Sequence, residues 1–315
     1  MMLAQSAPDA LTPYSRRTAM ARTLSPAARM ERSILTDFRK TLWKPFIAAI
    51  KQYELIREGD RIAVCISGGK DSMLLAKLFQ VLHRHTAMPF ELEFIVMDPG
   101  YNPVNRQKII DNAALMEIPI RIFDSDIFDA ATNAERNPCY LCARMRRGFL
   151  YDRAQELGCN KIALGHHFND VIETTLIGMF YGSQLQAMLP KLHSRNFENM
   201  ELIRPMYMIH EDVIREWCSA NDLTFIQCAC HFVEQRDKSL DGVGDSKRQE
   251  VKVLLRQLRE RDPDIEKSIF NSIHTVTLDT FPGWKIHGEE YSYLEEYDQW
   301  PDTFAGMRRK KNNNE

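Results

Sequence analysis

The run from Ser67 to Ser72 reads Ser-Gly-Gly-Lys-Asp-Ser, and it joins an apolar segment to a stretch of helix-forming residues. Glycines at a strand-to-helix turn let the backbone fold tightly and direct several N–H groups at one point. The positive end of the following helix dipole strengthens this field, so the turn suits a phosphate group. Lys70 adds a full charge. Asp71 follows the lysine, which distinguishes the turn from a Walker A loop.

Two cysteines, Cys139 and Cys142, form a second pattern with C-x-x-C spacing at the predicted start of a helix. A helix terminus stabilises thiolates, and two thiolates at this spacing can bind one metal centre. The spacing alone is compatible with half of a zinc site, a redox dithiol or part of an iron–sulfur cluster. Cys228, Cys230 and His231 could complete a zinc site. A redox disulfide fits less well because no thioredoxin-like strand precedes the pair.

The elements that must position these residues follow an alternating pattern. Strands are predicted at 61–66, 92–97, 118–123 and 161–165, and helices at 73–81, 104–116, 141–157, 170–180 and 211–220. This alternation predicts an α/β fold, a Rossmann-like parallel sheet with helices on both faces. The phosphate loop then lies at the carboxyl end of the first strand, where such sheets bind their ligands.

Composition suggests three parts. Residues 1–30 are rich in Ala, Ser and Arg and poor in acids, which predicts a disordered tail, with an organellar transit peptide as the alternative. Residues 31–236 form the predicted α/β domain with an N-terminal helix. Residues 237–315 form a predicted helical C-terminal extension with a frayed, charged tail.

The bulk properties are those of an ordinary soluble globular protein. The 315 residues are 44% hydrophobic and carry a net charge of −2, so any RNA contact must come from local basic patches. No apolar run approaches the roughly 20 residues that span a bilayer, so no membrane association is expected. The N-terminus lacks the pattern of a secretory signal. The seven cysteines are therefore expected to be reduced thiols or metal ligands of a cytoplasmic protein.

Longer segments around these motifs resemble known families. Ser67 to Ser72 is similar to the PP-loop of ATP pyrophosphatases, which split ATP into AMP and pyrophosphate. The stretch from Cys139 to Gly148 reads Cys-Tyr-Leu-Cys-Ala-Arg-Met-Arg-Arg-Gly and resembles the C-x-x-C-x-R-x-R-R-G segment of the tRNA 2-thiocytidine synthetases. Their Gly-His-His-x-Asp-Asp segment resembles Gly-His-His-Phe-Asn-Asp from Gly165, with Asn169 in place of the first aspartate.

The resemblance implies an activity and its cofactors. It implies an ATP-dependent tRNA sulfurtransferase that adenylates the C2 carbonyl of an anticodon-loop cytidine (tRNA position 32) and replaces its oxygen by sulfur. A PP-loop fold, ATP with Mg²⁺, a 4Fe-4S cluster, a tRNA substrate, a cysteine desulfurase as sulfur donor and a homodimer are implied in the same way. A tRNA 2-thiouridine synthetase and a non-catalytic ATP- or zinc-binding regulator are the alternatives.

The same resemblance assigns site residues. The implied cluster ligands are Cys139, Cys142 and Cys228, with Cys230 as the alternative to Cys228. The implied ATP contacts are Ser67, Gly68, Gly69, Lys70, Asp71, Ser72, Asp98, Gly165 and His166, and the implied catalytic residues are Asp71, Arg146 and Asp170. Asp71 could bind Mg²⁺ or act as a first-turn acid of its helix. Asp98 could contact ribose or metal, or stabilise a turn.

Basic side chains offer an RNA surface. One group lies beside the cysteine pair, and a second lies on the predicted C-terminal helix: Arg144, Arg146 and Arg147, and Lys247, Arg248, Lys252, Arg256 and Arg259. The alternative for both groups is a solvated helix surface, because acidic residues interleave in the second. Cys65, Cys159 and Cys218 are expected to be small buried hydrophobic residues.

Overall fold

The computed structural model describes residues 24–128, 138–226, 247–295 and 297. Its helices are α1 (Pro26–Leu35), α2 (Lys44–Gln52), α3 (Lys70–His85), α4 (Pro103–Leu115), α5 (Pro138–Glu156), α6 (Phe168–Gly182), α7 (Glu211–Ala220), α8 (Lys247–Arg261) and α9 (Ile265–Ser272). Its strands are β1 (Arg61–Ile66), β2 (Glu91–Asp98), β3 (Ile120–Asp124), β4 (Lys161–Ala163), β5 (Lys191–His193), β6 (Glu201–Ile203), β7 (Gly283–Ile286) and β8 (Glu289–Ser292). A π-helical turn, Arg39–Trp43, joins α1 to α2.

The central sheet has six strands in the order β3-β2-β1-β4-β6-β5. Every neighbouring pair is parallel except β5 with β6, which is antiparallel. Strands β2 and β3 lie on one side of β1, and the chain then crosses to place β4 on its other side. At such a switch point a crevice opens at the carboxyl ends of the two strands, and the Ser67–Ser72 loop lies there. The predicted parallel α/β fold is confirmed, and the antiparallel edge strand is an addition to it.

Strand β1 shows how the sheet is covered on both faces. Side chains alternate across a strand, so Ile62 and Val64 face the larger core, in which α3 is buried. Ala63 faces the opposite core with Tyr151 and Ala154 of α5. Two buried faces explain why the strand reads as a continuous apolar run rather than an alternating one.

The opposite end of the sheet is closed by a buried ionic group. Lys161 in β4 is only 2% exposed, and its Nζ lies 3.2 Å from the Asp60 carboxylate and 2.6 Å from that of Glu201. The Leu55 carbonyl accepts a third contact at 3.2 Å. Paired in this way, the buried ammonium ties the entry of β1 to β4 and β6.

The predicted terminal parts need correction. The expected disordered tail at residues 1–30 overlaps α1, which begins at Pro26, after its N-cap Ser25 accepts a hydrogen bond from the Ala28 amide. The C-terminal extension contains α8 and α9 but also the hairpin β7–β8 in place of continuous helix. His287 and Gly288 both have positive φ in its two-residue turn, which suits the strand twist.

The part of the chain that the structure describes contains no helix with both the length and the apolar character that crossing a bilayer requires.

Candidate active site

The loop after β1 is locked by its two serine hydroxyls. Ser72 Oγ accepts a hydrogen bond from the Ser67 amide at 3.1 Å and donates to the Gly69 carbonyl at 3.0 Å. Helix α3 begins at Lys70, so its first-turn N–H groups have no partners within the helix and lie beside the loop. The loop therefore presents backbone donors, two hydroxyls and one ammonium group, as the sequence predicts for a phosphate site.

Gly68 is required by its backbone conformation and by its neighbours. Its φ is +81°, in the left-handed region, and a Cβ there would lie 2.5 Å from Ile109 Cγ1 and 2.8 Å from Ile226 Cδ1. Ile226 is thus in contact with the loop, two residues before Cys228 in the sequence. The segment that leads to the predicted third cysteine reaches the loop at this point.

Gly165 brings the end of β4 against the first turn of α3. A Cβ at this position would lie 3.1 Å from the Asp71 carbonyl carbon and 3.1 Å from the Ser72 nitrogen, and both are backbone atoms. The β4 segment and the phosphate loop therefore form one wall of the crevice. This agrees with the predicted grouping of Gly165 with the loop.

Lys70 lies between two carboxylates. Its Nζ is 3.0 Å from Asp71 and 2.9 Å from Glu211, which begins α7. Burial acts to lower the pKa of Lys70, but the two carboxylates outweigh it and the pKa is raised. For Glu211, burial acts in the opposite sense, and the hydrogen bond and charge of Lys70 hold its pKa at about 2. Both groups are ionised at neutral pH.

Asp170 caps α6 together with His167. The His167 amide donates to the Asp170 carboxylate at 3.0 Å, and the His167 ring accepts from the Asp170 amide at 3.4 Å. Arg248 of α8 donates to the other carboxylate oxygen at 2.9 Å. Burial alone would raise the pKa of Asp170, but the His167 contacts and Arg248 lower it overall. The predicted catalytic aspartate is therefore ionised, and hydrogen bonds from His167 and Arg248 fix its carboxylate.

Two side chains that interact electrostatically with Asp170 have a buried nitrogen without a hydrogen-bond partner. These nitrogens are His166 Nδ1 and Arg204 Nε. Burial, together with the nearby Arg204 charge, lowers the pKa of His166 to about 4, so its ring is neutral at pH 7. Burial and Arg147 lower the pKa of Arg204 to about 10, which still leaves the guanidinium charged. This side of the crevice is positively charged.

Asp98 has the turn role that the sequence left open. It is 4% exposed, and one carboxylate oxygen accepts from the Gly100 and Tyr101 amides at 2.9 and 2.7 Å. The other oxygen pairs with Arg106 at 2.6 Å. Both oxygens are engaged, so the turn after β2 is rigid and directs Tyr101 toward the loop.

Tyr101 links the phosphate loop to the cysteine helix. Its hydroxyl donates to the Ser67 carbonyl at 3.2 Å. Burial raises the pKa of Tyr101, and Arg146 opposes that rise through its charge and a side-chain hydrogen bond, with Cys142 also close enough to act on the phenol. The predicted catalytic Arg146 and cluster ligand Cys142 thus lie at the same end of the sheet as the loop.

Cys142 is buried at this end among apolar side chains. It is 7% exposed and packs with Met97, Ile127 and Phe128. Cys139 lies three residues earlier in the same helix. Cys228 and Cys230 lie outside the described residues, and within the described ranges no three His, Cys, Asp or Glu side chains converge as a metal site. The buried thiol of Cys142, among apolar side chains, fits a thiolate ligand of a cluster in a low-dielectric pocket.

The other described cysteines are buried, as the sequence predicts. Cys65, Cys159 and Cys218 are at most 7% exposed, and burial raises the pKa of each thiol. Thiols of this kind are inert packing groups.

The basic residues of α8 differ from the expected RNA surface. Arg248 pairs with Asp170 and Glu173, Lys252 with Glu173 and Glu211, and Arg259 with Asp212 and Glu266. These three face the α/β domain, whereas Arg256 is exposed and Lys247 lies over the Tyr181 ring. Beside the cysteines, Arg144 and Arg147 are exposed and Arg146 is half-buried.

Sequence reasoning missed two residues of this site. Tyr101 and Glu211 belong to no motif, and only the first-turn position of Glu211 in a predicted helix indicates a role. Asn169, which replaces the first aspartate of the resembling segment, has a structural role that the sequence did not indicate. Its side-chain oxygen accepts from the Glu211 amide at 2.9 Å and its amide group lies 3.4 Å from Glu266, so it positions α7 and α9.

Comparison with known proteins assigns the fold and the family. A family model described as a PP-loop domain matches residues 40–230. Among solved structures, the U34-tRNA thiolase NcsA from Methanococcus maripaludis, determined with its 4Fe-4S cluster, superposes with a TM-score of 0.58 at 20% identity. The superposition covers 78% of this chain and 81% of that chain, and it shows the shared fold.

Curated relatives named tRNA-cytidine(32) 2-sulfurtransferase match most of the chain. The protein of Syntrophotalea carbinolica is 39% identical over 72% of this chain and 86% of its own length. That of Hahella chejuensis is 28% identical over 89% of this chain and 95% of its own length. The chain belongs to the PP-loop family and, within it, to the tRNA-cytidine(32) 2-sulfurtransferases.

Proposed function

We propose that this protein converts a cytidine at position 32 of tRNA to 2-thiocytidine, using ATP to activate the base. The observation that supports it most is the Tyr101 bridge. The hydroxyl of this residue is bonded to the phosphate loop at Ser67, and its ring lies beside Cys142 and Arg146. An ATP-splitting loop and a cysteine-bearing helix face one crevice, which is the arrangement that activation followed by sulfur transfer needs.

Activation comes first because the C2 carbonyl of cytosine is a poor electrophile and oxide is a poor leaving group. The C2 oxygen attacks the α-phosphorus of ATP, an O–P bond forms, and the bond to pyrophosphate breaks. The loop N–H groups, Lys70 and the Ser67 and Ser72 hydroxyls bind the phosphates and stabilise the charge on the departing pyrophosphate. Asp71 would hold Mg²⁺, which would neutralise charge on the phosphates.

The sulfur step is assigned to the α5 side of the crevice. We propose Cys139, Cys142 and Cys228 as ligands of a 4Fe-4S cluster, with Cys230 as the alternative to Cys228. When bound by these thiolates, the cluster would hold and supply the sulfur as hydrosulfide. Hydrosulfide adds at C2 and forms a C–S bond. The C2–O bond then breaks and AMP leaves with the oxygen, because adenylation has made it a good leaving group, and the sulfur proton is released to water.

The remaining predicted residues have roles along this path. Arg146 is hydrogen-bonded to Tyr101, which contacts the loop, so its fixed charge can stabilise phosphate as AMP leaves. Asp170, ionised and held by His167 and Arg248, orients the first turn of α6 and can accept a hydrogen bond from the amino group of the target base. Gly165 lets the end of β4 pack directly against the loop backbone, and the next residue, His166, has a neutral ring.

The wider setting follows from the same proposal. The target base must be unstacked into the crevice, and a base in a single-stranded loop is the cheapest to extract. We propose a cysteine desulfurase as the sulfur source, a homodimeric assembly and a cytoplasmic location. Residues 31–236 would form the catalytic domain and 237–315 an extension that packs on it through α8.

Nucleoside mass spectrometry of tRNA tests the proposal. A deletion strain should lose 2-thiocytidine and regain it when the intact gene is restored. Loss of 2-thiouridine with unchanged 2-thiocytidine would refute the assignment and favour a 2-thiouridine synthetase.

The cysteine assignment has its own test, which does not need activity. Anaerobically purified protein should be brown and contain iron and sulfide, and Cys142→Ala should lose most of both. Cys218→Ala is the matched control, since Cys218 is equally buried but lies in α7 with a raised thiol pKa. Full iron retention in Cys142→Ala, or a colourless protein with one zinc, would show that the ligand set is wrong.

A further inference from the structure

Helix α8 reaches the phosphate loop through charged side chains. Lys252 Nζ lies 3.5 Å from the Glu211 carboxylate, and Glu211 is in turn 2.9 Å from Lys70. Lys252 is also 3.7 Å from Glu173, which pairs with Arg248 at 3.3 Å. Basic and acidic side chains therefore alternate along a chain of contacts from Lys70 to Asp170. Helix α8 contributes Lys252 and Arg248, each of which lies between two carboxylates.

Glu211 is held in place independently of Lys70. Its backbone amide donates to Asn169 Oδ1 at 2.9 Å, and its carboxylate pairs with Arg215 at 2.9 Å. Its side chain is only 13% exposed. A carboxylate so buried is costly to leave without cations, because desolvation penalises its charge.

Binding of a triphosphate changes the neighbours of Lys70. A phosphate bound at Lys70 competes with Asp71 and Glu211 for the three N–H donors of the ammonium group. Lys252 is already within ion-pair distance of the Glu211 carboxylate. A small cavity of about 90 Å³ is lined by both side chains together with Asn169 and Glu173.

We propose that Lys252 is a positioning residue for nucleotide binding: it neutralises Glu211 when Lys70 turns to the triphosphate. The C-terminal extension then contributes to the nucleotide site through Lys252 and Glu211. This inference rests on the proposed use of ATP. It gives the half-buried Lys252 a role within the protein instead of on an RNA-binding surface.

The test measures binding of α,β-methylene-ATP with Mg²⁺ to the full-length, anaerobically purified protein by calorimetry. Lys252→Met should weaken binding by about tenfold or more, since a buried carboxylate loses one of its cations. Lys252→Arg keeps the charge and should restore affinity to within about threefold. Lys267→Met removes one lysine charge from an exposed site on α9 and should change nothing.

A double variant isolates the pair. If Lys252 acts through Glu211, then Lys252→Met should have little effect in a Glu211→Gln background, with the two proteins agreeing within about threefold. Glu216→Gln, on the exposed face of the same helix, is the control for the loss of an α7 carboxylate. Melting temperatures identify any variant that fails to fold. If Lys252→Met does not fold, the nucleotide affinities of Lys252→Arg and of the double variant are compared with those of the unaltered protein and of Glu211→Gln.

Two results would overturn the inference. Equal affinity of Lys252→Met and Lys267→Met for the analogue would show that Lys252 does not serve nucleotide binding. A drop of about one in the salt slope of tRNA binding, with unchanged nucleotide affinity, would show that Lys252 contacts RNA phosphate. If the unaltered protein itself fails to bind the analogue, the proposed ATP use falls first and this inference falls with it.

Discussion

Gly165→Ala tests whether the end of β4 must touch the backbone of the phosphate loop. The added methyl group would lie 3.1 to 3.2 Å from three backbone atoms of Asp71 and Ser72, tighter than ordinary van der Waals contact. Backbone at a helix start cannot rotate away as a side chain can. The strand end and α3 must therefore separate by a few tenths of an ångström.

The size of the effect combines two contributions. Overpacking of this kind costs about 1–3 kcal/mol, and the loss of glycine freedom in the unfolded chain returns about 0.4–1 kcal/mol. The net expectation is a loss of about 1–2 kcal/mol, or a fall in melting temperature of about 2–8 °C. Binding of an ATP analogue should weaken as well, because the first-turn amides of α3 move with the loop.

Gly148→Ala is the matched control. Gly148 lies inside α5 with nothing within 4 Å of an added Cβ, so alanine there should raise stability by about 0.5–1 kcal/mol. Thermal unfolding followed by circular dichroism and calorimetric binding would compare both variants with the unaltered protein. A Gly165→Ala protein that melts at or above the unaltered temperature and binds the analogue equally well would refute the argument.

Two further changes test the ionic group between α6, α7 and α8. Burial raises the pKa of Glu173 from 4.5 to about 7, although the charges of Lys252 and Arg248 oppose the rise. The native state therefore binds a proton at Glu173 that the unfolded state has lost, and stability should fall as pH rises from about 4.5 to 7. Glu173→Gln should flatten that part of a stability–pH profile measured by urea unfolding, by about 2–3 kcal/mol across the window, and an unchanged slope would contradict it. Asn169→Asp should cost about 1–3 kcal/mol of unfolding free energy, because a second carboxylate would face the buried Glu266. Normal stability with altered thiolation would instead show that Asn169 acts in the reaction.

The loop could be predicted because its signal is local. Strand, glycine turn and helix follow one another within Arg61–His85, and each obeys its own short-range rule. The long strands and helices were predicted for the same reason. A strand buried on both faces reads as a continuous apolar run, and a helix buried on one face shows apolar residues at helical spacing. Strands β5 and β6 have only three residues each, too few to show a period, and the β7–β8 turn uses His-Gly in place of the usual Asn-Gly.

The charged part of the site could not be predicted in this way. Glu211 and Lys252 follow Lys70 by 141 and 182 residues (211 − 70 and 252 − 70), and each reads as an ordinary helix surface residue. Their meeting depends on how α7 and α8 pack, which no short pattern encodes. For Asp98 the sequence supplied two roles, and only the amides of Gly100 and Tyr101 with Arg106 decided between them.

The two outer strands of the sheet limit how copies of this protein can associate. Strand β3 carries Arg121 and Asp124, whose side chains are 58% and 72% exposed, and β5 ends after three residues at His193, which is 84% exposed. Short or charged borders of this kind resist the addition of a further strand from outside. A pair of subunits would therefore have to meet through helices or loops, with each sheet ending inside its own subunit.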